Sequence, residues 1–275
     1  MVKFHSEKVS EHITRIYGLT EEQMYLVTGS QKAVLIDTGS GAGSLRSYVE
    51  TLTDKPVTVL LTHGHVDHAM GAPEFDTVCM SREDDYIYSQ HCELEVRKGY
   101  LLQSPDFDKI VEEDYIPVVS ADSFHDLREG DVFNLDGISV EVYSCPGHTK
   151  GSLCMLIREE RILVTGDACN TFIFLFDTYS TGLSTYEKNL TALRAKTAGK
   201  FDRILLSHGP GREYPVELID EVLEVCEDIK RGNVDDLPFE FMGRKALIAK
   251  AMEMGGGRLD GKLGNIVYDK ERVQE

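Results

Sequence analysis

Short runs of apolar and β-branched residues recur along the chain, and turn residues separate them. Runs of this length, bounded by glycine and polar residues, are typical of buried strands. Eight such runs are MYLVTG at 24–29, KAVLIDTG at 32–39, VTVLLTHG at 57–64, TVCMS at 77–81, ISVEVYSC at 138–145, SLCMLI at 152–157, RILVTGD at 161–167 and RILLSHG at 203–209. We therefore predict a strand at each of these positions.

Helical periodicity appears between some of these strands. The segment GAGSLRSYVETL at 41–52 favours a helix, and a second helix is indicated after Ser184, which forms a capping-box pattern with Glu187. A third amphipathic helix is predicted from Pro215 to Gly232. Strands alternating with helices place the chain in the α/β class.

We infer the domain organisation from the positions at which the alternation of predicted strands and helices is interrupted. Residues 1–232 are predicted to form the main domain, and the charged segment at about 82–117 is a helical insertion that we expect to act as a partial lid. VLLTHGH at 59–65 and ILLSHGP at 204–210 resemble each other, which suggests two similar halves. Residues 233–275 form a C-terminal appendage, for which we predict a short helix, a glycine hinge at 255–257 and a last strand at NIVYD.

Composition and charge restrict the partners. The chain has 275 residues, with 29 basic and 47 acidic side chains and a net charge of −18. Such a charge repels nucleic acid and anionic lipid, so a small-molecule substrate is expected. No apolar stretch is long enough to span a bilayer and the start lacks a signal-peptide pattern, so we expect a cytoplasmic protein. The sequence leaves homo-oligomerisation open.

The segment LLTHGHVDHAMGA at 60–72 concentrates metal-binding side chains directly behind a predicted strand. His63 and His65 leave the strand end two residues apart and can reach one ion, while Asp67 and His68 can point at a second. Imidazole and carboxylate groups are preferred ligands of zinc and neighbouring metals. We therefore predict that this loop supplies ligands to two metal sites.

The remaining ligands must come from elsewhere in the chain. His148 in PGHT, Asp167 in TGD and His208 in SHG each follow an apolar run and adjoin a glycine. Each alone is more typical of a turn or cap residue. Together with the HGHVDH segment they indicate one metal centre.

In this order, the motifs LIDTG, THGHVDH, PGHT, TGD and SHG resemble those of the metallo-β-lactamase-fold hydrolase superfamily, over residues 12–214. The resemblance implies an αββα four-layer sandwich with the metal site at one edge. It implies that His63, His65 and His148 bind one metal, that Asp67, His68 and His208 bind the other, and that Asp167 bridges them. Asp37 is expected to support the site by accepting hydrogen bonds from backbone amides or a ligand histidine.

This resemblance predicts a dinuclear metal-dependent hydrolase. Two divalent ions, with zinc favoured and manganese or iron as alternatives, would bind a bridging hydroxide and polarise a carbonyl oxygen. Asp67 is the candidate catalytic residue because its carboxylate could pass the proton to the leaving group. The expected substrate is a carboxylic ester, lactone or thioester. A small-molecule phosphodiesterase and a mononuclear-iron oxidoreductase similar to persulfide dioxygenases remain alternatives.

Substrate contacts are predicted near the bridging aspartate. Asn170 and Tyr179 could bond to a substrate oxygen, and Phe172 is expected in the pocket wall. The wall is also expected to include Phe174, Phe176 and, from the insertion, Tyr86, Tyr88 and Tyr100. Their aromatic density favours an apolar acyl group.

Overall fold

The computed structural model describes residues 3–253 and 256–275. A first sheet of seven strands runs in the order β1 to β7 and turns from antiparallel to parallel after β4. Its strands are β1 (His5–Lys8), β2 (Ile13–Tyr17), β3 (Gln23–Thr28), β4 (Ala33–Ile36), β5 (Val57–Leu60), β6 (Val78–Met80) and β7 (His125–Asp126).

The other strands form two further sheets. They are β8 (Val132–Asn134), β9 (Ser139–Ser144), β10 (Leu153–Ile157), β11 (Ile162–Gly166), β12 (Ile173–Leu175), β13 (Arg203–Leu206), β14 (Tyr214–Pro215), β15 (Leu237–Phe241), β16 (Arg244–Ile248) and β17 (Ile266–Tyr268). The second sheet has the order β14-β13-β11-β10-β9-β8, and the third has the order β12-β17-β16-β15.

Helices cover the outer faces of the first two sheets. They are α1 (Leu45–Leu52), α2 (Val66–Ala69), α3 (Asp85–His91), α4 (Leu94–Leu101), α5 (Leu183–Lys196) and α6 (Glu217–Arg231). Leu45 and Val49 of α1 pack on the first sheet, while Leu190 of α5 and Val222 of α6 pack on the second.

The first two sheets face each other across a shared core. Leu60 of β5 and Met155 of β10 belong to this core and are fully buried. Along β10 the neighbouring side chains of Cys154 and Leu156 point instead to the helical side of the second sheet. Because both faces of the central strands are buried, these strands are apolar throughout. The predicted αββα sandwich and its eight strands are confirmed.

The helix ends differ in part from the predicted pattern. Helix α6 ends as expected at Gly232, whose φ of 71° is the left-handed conformation that glycine adopts readily. The predicted capping box of α5 is wrong, because its N-cap is Gly182. The Ser184 hydroxyl instead donates to the Val273 carbonyl at 2.7 Å, so a tertiary contact with the end of the chain replaces the local cap.

The C-terminal segment forms strands where a short helix was expected. The predicted helix is wrong, because Arg244–Ile248 form the strand β16, which pairs with β15 and β17. Pairing with two neighbours outweighs the helix propensity of the local sequence. The predicted last strand is confirmed as β17, which pairs in parallel with β12 of the main domain. The predicted glycine hinge includes Gly255, which lies outside the described residues.

The insertion at 82–117 contains α3 and α4 and lies against the first sheet's loops. Arg97 of α4 is buried and donates to the Ile116 carbonyl at 2.7 Å and to the Gly41 carbonyl. These contacts hold the insertion on the domain, while its role as a lid stays a prediction. Among residues 3–253 and 256–275, no helix is both long and apolar enough to cross a bilayer.

Candidate metal centre

Loops from both facing sheets converge at one edge of the sandwich. The THGHVDH loop follows β5 of the first sheet, and His148, Asp167 and His208 follow β9, β11 and β13 of the second. Strand ends hold the attached loops rigidly, which a metal site needs in order to keep its geometry. The structure brings all seven predicted ligands together in three overlapping groups, and within each group the ligand atoms lie within 4.8 Å of one another.

The first group consists of three imidazoles. The Nδ1 atom of His65 lies 3.1 Å from His63 Nε2 and 2.9 Å from His148 Nε2. His63 and His148 are almost completely buried. One cation could therefore contact all three rings, as the predicted grouping requires.

The second group joins a carboxylate to two imidazoles. The Oδ2 atom of Asp67 lies 3.3 Å from His208 Nε2 and 3.6 Å from His68 Nε2. The Oδ2 atom of Asp167 lies between the two groups, at 3.5 Å from His148 Nε2 and 3.5 Å from His208 Nε2. Asp167 is thus placed where a ligand shared by two cations would have to be.

Asp37 supports this arrangement from beneath. Its Oδ2 atom accepts from Nδ1 of His68 at 2.8 Å, and its Oδ1 atom accepts from the Thr62 backbone amide at 2.7 Å. The Thr62 hydroxyl donates to Asp37 Oδ2 at 2.7 Å and lies 3.0 Å from Nδ1 of His63. Because that hydroxyl has one proton, it accepts from the His63 ring. Asp37 therefore orients two ligand histidines, one directly and one through Thr62.

The hydrogen bonds fit a cation at this centre. In their neutral forms, His63 and His148 use Nδ1–H to donate to Thr62 and to the Phe174 carbonyl, the latter at 3.0 Å, which leaves lone pairs on the converging Nε2 atoms. The Oδ1 atom of Asp167 is buried and has no hydrogen-bond partner among the described residues. Converging lone pairs and an orphaned carboxylate oxygen are the groups that a divalent ion satisfies.

The charge states also suit metal binding. Burial lowers the pKa of His63 and His65 well below the ordinary value, so both rings favour the neutral form that binds metals. Burial would raise the pKa of Asp67, but nearby His68 and His208 hold it well below its usual range. For His68, burial lowers the pKa, but the surrounding carboxylates outweigh this and raise it to about 9. The carboxylates thus favour positive charge at this centre, and a divalent ion would supply it.

Asp84 connects the two loops that carry the three imidazoles, and sequence reasoning missed it. Its side chain is fully buried, and Oδ2 accepts from the Gly64 amide at 2.9 Å and from the Thr149 hydroxyl at 2.8 Å. Its Oδ1 accepts from the Gly151 amide at 2.8 Å. Gly64 lies between two ligand histidines and Thr149 follows His148. Burial raises the pKa of Asp84, and these hydrogen bonds partly oppose the effect.

Replacing Asp84 with asparagine is expected to weaken metal binding at the three-imidazole group about 10- to 100-fold. The amide nitrogen that replaces one carboxylate oxygen would face a donor instead of accepting from it, so one loop loses its anchor. Metal titration by isothermal calorimetry measures this change.

The matched control is Glu83→Gln, the same chemical change at an exposed neighbour. It should bind metal as the unaltered protein does. Equal metal affinity in Asp84→Asn and Glu83→Gln would show that Asp84 does not position the ligands.

The insertion also reaches the centre. The Tyr100 hydroxyl of α4 donates to Asp67 Oδ2 at 2.7 Å. The ring of His91, at the end of α3, stacks on the ligand His65 with centroids 5.0 Å apart and an interplanar angle of 18°. The sequence placed Tyr100 only in the pocket wall and missed His91, because neither stands in a spacing pattern that points to the ligands.

The structure places the predicted substrate residues as follows. Asn170 is buried and its Oδ1 accepts from the Phe172 amide at 2.6 Å. The Tyr179 ring lies 6.0 Å from the His65 ring, and its hydroxyl donates to Gln90. Phe172 is partly buried against Phe174, with ring centroids 5.6 Å apart. Their contacts with substrate stay predictions.

One of the expected wall residues is excluded. Tyr88 is only 1% exposed and packs in the core of the first sheet, so its place in the pocket wall is wrong. Its ring meets Phe124 edge-on, at 5.0 Å between centroids, which explains why an aromatic residue stands there.

Comparison with known proteins supports the same family. The chain is 28% identical over 160 residues to the human protein named acyl-coenzyme A thioesterase MBLAC2. This alignment covers 52% of this chain and 57% of that protein. It is also 28% identical over 213 residues to a Streptococcus pyogenes protein named "Probable metallo-hydrolase M6_Spy0554". This alignment covers 74% of this chain and 84% of that protein. The chain thus spans little more than half the length of the human relative.

A solved structure shares the fold. The metallo-beta-lactamase from Pontibacter korlensis matches with a TM-score of 0.57 and 19% identity, covering 81% of this chain and 98% of that one. The sequence model of the Metallo-beta-lactamase superfamily matches residues 18–208, which contain every predicted ligand. With this match across most of its length, the chain belongs to the metallo-β-lactamase superfamily.

Proposed function

We propose that this protein is a hydrolase that uses two divalent metal ions, with zinc favoured, to cleave an acyl compound. Among carboxylic esters, lactones and thioesters, we favour the thioester. The observation that carries the proposal is the convergence of two ligand groups on Asp167, whose Oδ2 lies 3.5 Å from His148 Nε2 and 3.7 Å from His68 Nε2. A site for a single cation would need only one of these groups.

The roles of the side chains follow from this arrangement. His63, His65 and His148 would hold one ion, Asp67, His68 and His208 the other, and Asp167 both. Bound there, divalent ions supply activated water and polarise the acyl carbonyl. The Asp67 carboxylate, with Tyr100 donating to it, is placed to hold a proton in transit to the leaving group. Asp37 keeps the Nε2 atom of His68 aimed at the centre by binding its Nδ1.

The preference for a thioester draws on similarity, and the charge bears only on the exclusion of nucleic acid. The human relative named acyl-coenzyme A thioesterase matches half of this chain, so its activity is a guide to substrate class and no more. The net charge of −18 disfavours a polynucleotide, which supports a small-molecule substrate over phosphodiester bonds in nucleic acid.

The test is a substrate panel on protein of measured metal content. We expect release of thiol from an acyl thioester, weaker turnover of an aryl ester and a lactone, and two metal ions per chain. Asp167→Asn provides the matched control, because it keeps the shape of the side chain and removes the shared charge. Unaltered activity of the purified Asp167→Asn variant would contradict catalysis at this centre.

The other outcomes assign a different function. Turnover of a bis-aryl phosphate alone would identify a small-molecule phosphodiesterase. One iron per chain, with oxygen uptake on a persulfide, would identify an oxidoreductase. Either result would contradict the proposed thioester hydrolysis.

A further inference from the structure

Five phenylalanines share one face of the third sheet. They are Phe172, Phe174 and Phe176, which lie in and beside β12, and Phe239 and Phe241 of β15. All five are partly exposed, and we call this set the phenylalanine face. The intervening Ile173 and Leu175 point to the opposite side and are buried in the core against α6. The alternation follows from the two-residue period of a strand.

The two edge strands of this sheet bring their rings into contact. Although β17 and β16 separate β12 from β15, the ring of Phe174 lies 5.6 Å from Phe239 and 5.3 Å from Phe241. The sheet must therefore curve, with the phenylalanine face on its concave side. Val267 of β17 shares this side through its pairing with Phe174 and is fully buried.

The phenylalanine face is continuous with the metal centre. The Phe174 carbonyl accepts the hydrogen bond from Nδ1 of the ligand His148 at 3.0 Å. The ring of Tyr179 lies 6.0 Å from the rings of His65 and Tyr86, measured between centroids. The phenylalanine face therefore begins beside a predicted ligand, so the acyl chain of a substrate whose carbonyl lies at the centre can extend towards the rings.

From this continuity we infer that the phenylalanine face binds the acyl chain of the substrate and selects a chain of medium length. The inference rests on the proposed acyl hydrolysis. Along β12 the rings span four residue steps, roughly 13 Å at about 3.3 Å per residue. Aromatic rings accept methylene groups, and their negative faces offer no partner to an anionic headgroup. The ion pair between Arg244 and Asp177, 2.5 Å apart, lies beyond the rings at the end of β12.

The test compares acetyl, octanoyl and dodecanoyl thioesters. In the unaltered protein kcat/KM should rise from acetyl to octanoyl and should not rise further from octanoyl to dodecanoyl, because a chain longer than about 13 Å extends past the rings. Phe239→Ala and Phe241→Ala should each lower kcat/KM for the octanoyl substrate about tenfold or more, and leave the acetyl substrate within about twofold. The matched control is Glu240→Ala, between the two rings but on the opposite side of the strand and exposed. It should leave the whole profile unchanged.

A second measurement separates this inference from the proposed function. Dodecanoate binding to the metal-loaded protein, followed by calorimetry, requires no turnover and should weaken in both variants. Phe239→Leu, which keeps an apolar side chain, should restore most binding, and circular dichroism verifies that each variant is folded. If dodecanoate binds in this way while no thioester, ester or lactone is cleaved, the proposed hydrolysis fails and the acyl site stands.

Two results would overturn the inference. One is a kcat/KM that does not change with chain length, or that falls equally for acetyl and octanoyl substrates in the variants. The other is a dimer that Phe239→Ala dissociates while the chain-length profile stays unchanged. The phenylalanine face would then be an interface between two copies of the chain.

Discussion

Replacing Asp67 with alanine is expected to reduce hydrolysis by about 10²- to 10⁴-fold and to lower the metal content from two ions per chain to one. Asp67 is the only carboxylate in the group with His68 and His208. Without it, two imidazoles remain beside the shared Asp167, and the proton acceptor facing the leaving group is gone. Emission spectrometry of the purified variant gives the metal content, and thiol release gives the rate.

The control for this variant is Asp108→Ala, which removes the same charge at an exposed position of the insertion. It should retain both metals and full turnover. A further comparison with Asp67→Asn separates loss of charge from loss of volume. Two metals and unaltered turnover in Asp67→Ala would remove this residue from the mechanism.

Removal of the metals is expected to abolish hydrolysis and to lower the melting temperature by several degrees. A ligand present at about 100 times its Kd stabilises the native state by about 2.7 kcal/mol. In a protein of this size, 1 kcal/mol corresponds to about 2–4 °C. The effect should be large here because the predicted ligands come from both facing sheets, so metals bound there would connect the two halves of the sandwich.

Differential scanning fluorimetry before and after dialysis against a chelator measures this change. Zinc, manganese and iron are then added back separately, and the ion that restores both rate and melting temperature is the functional one. In His148→Ala the chelator should have a smaller effect, because the three-imidazole group is already incomplete. A melting temperature and rate that chelation does not alter would contradict a metal-dependent fold and activity.

The convergence of the candidate metal ligands could be predicted because their sequence pattern is local. His63 and His65 stand in a dense motif directly after a buried strand, and His148 and His208 also follow apolar runs. Strand ends of the two sheets meet at one edge. A residue that directly follows a predicted strand could therefore be assigned to that edge. The Asp37 contact could be predicted for the same reason.

Other features depend on tertiary contacts that have no local pattern. Asp84 is one of many acidic residues, and only burial between two loops distinguishes it. Ser184 matches a capping box, yet its hydroxyl binds the Val273 carbonyl near the end of the chain. Strand β16 has the composition of a helix and became a strand because β15 and β17 flank it. Phe239 reaches Phe174 only through the curvature of the third sheet.

The position of the strand β17 affects how the substrate range of this protein could change. It lies between the two halves of the phenylalanine face, whereas every ligand precedes residue 209. Phe239 and Phe241 of that face therefore lie in a stretch of the gene beyond the predicted ligands, whereas Phe172, Phe174 and Phe176 lie between Asp167 and His208. Exchanging residues 237–268 for those of a relative should change which acyl groups are accepted while the cation-binding residues remain intact.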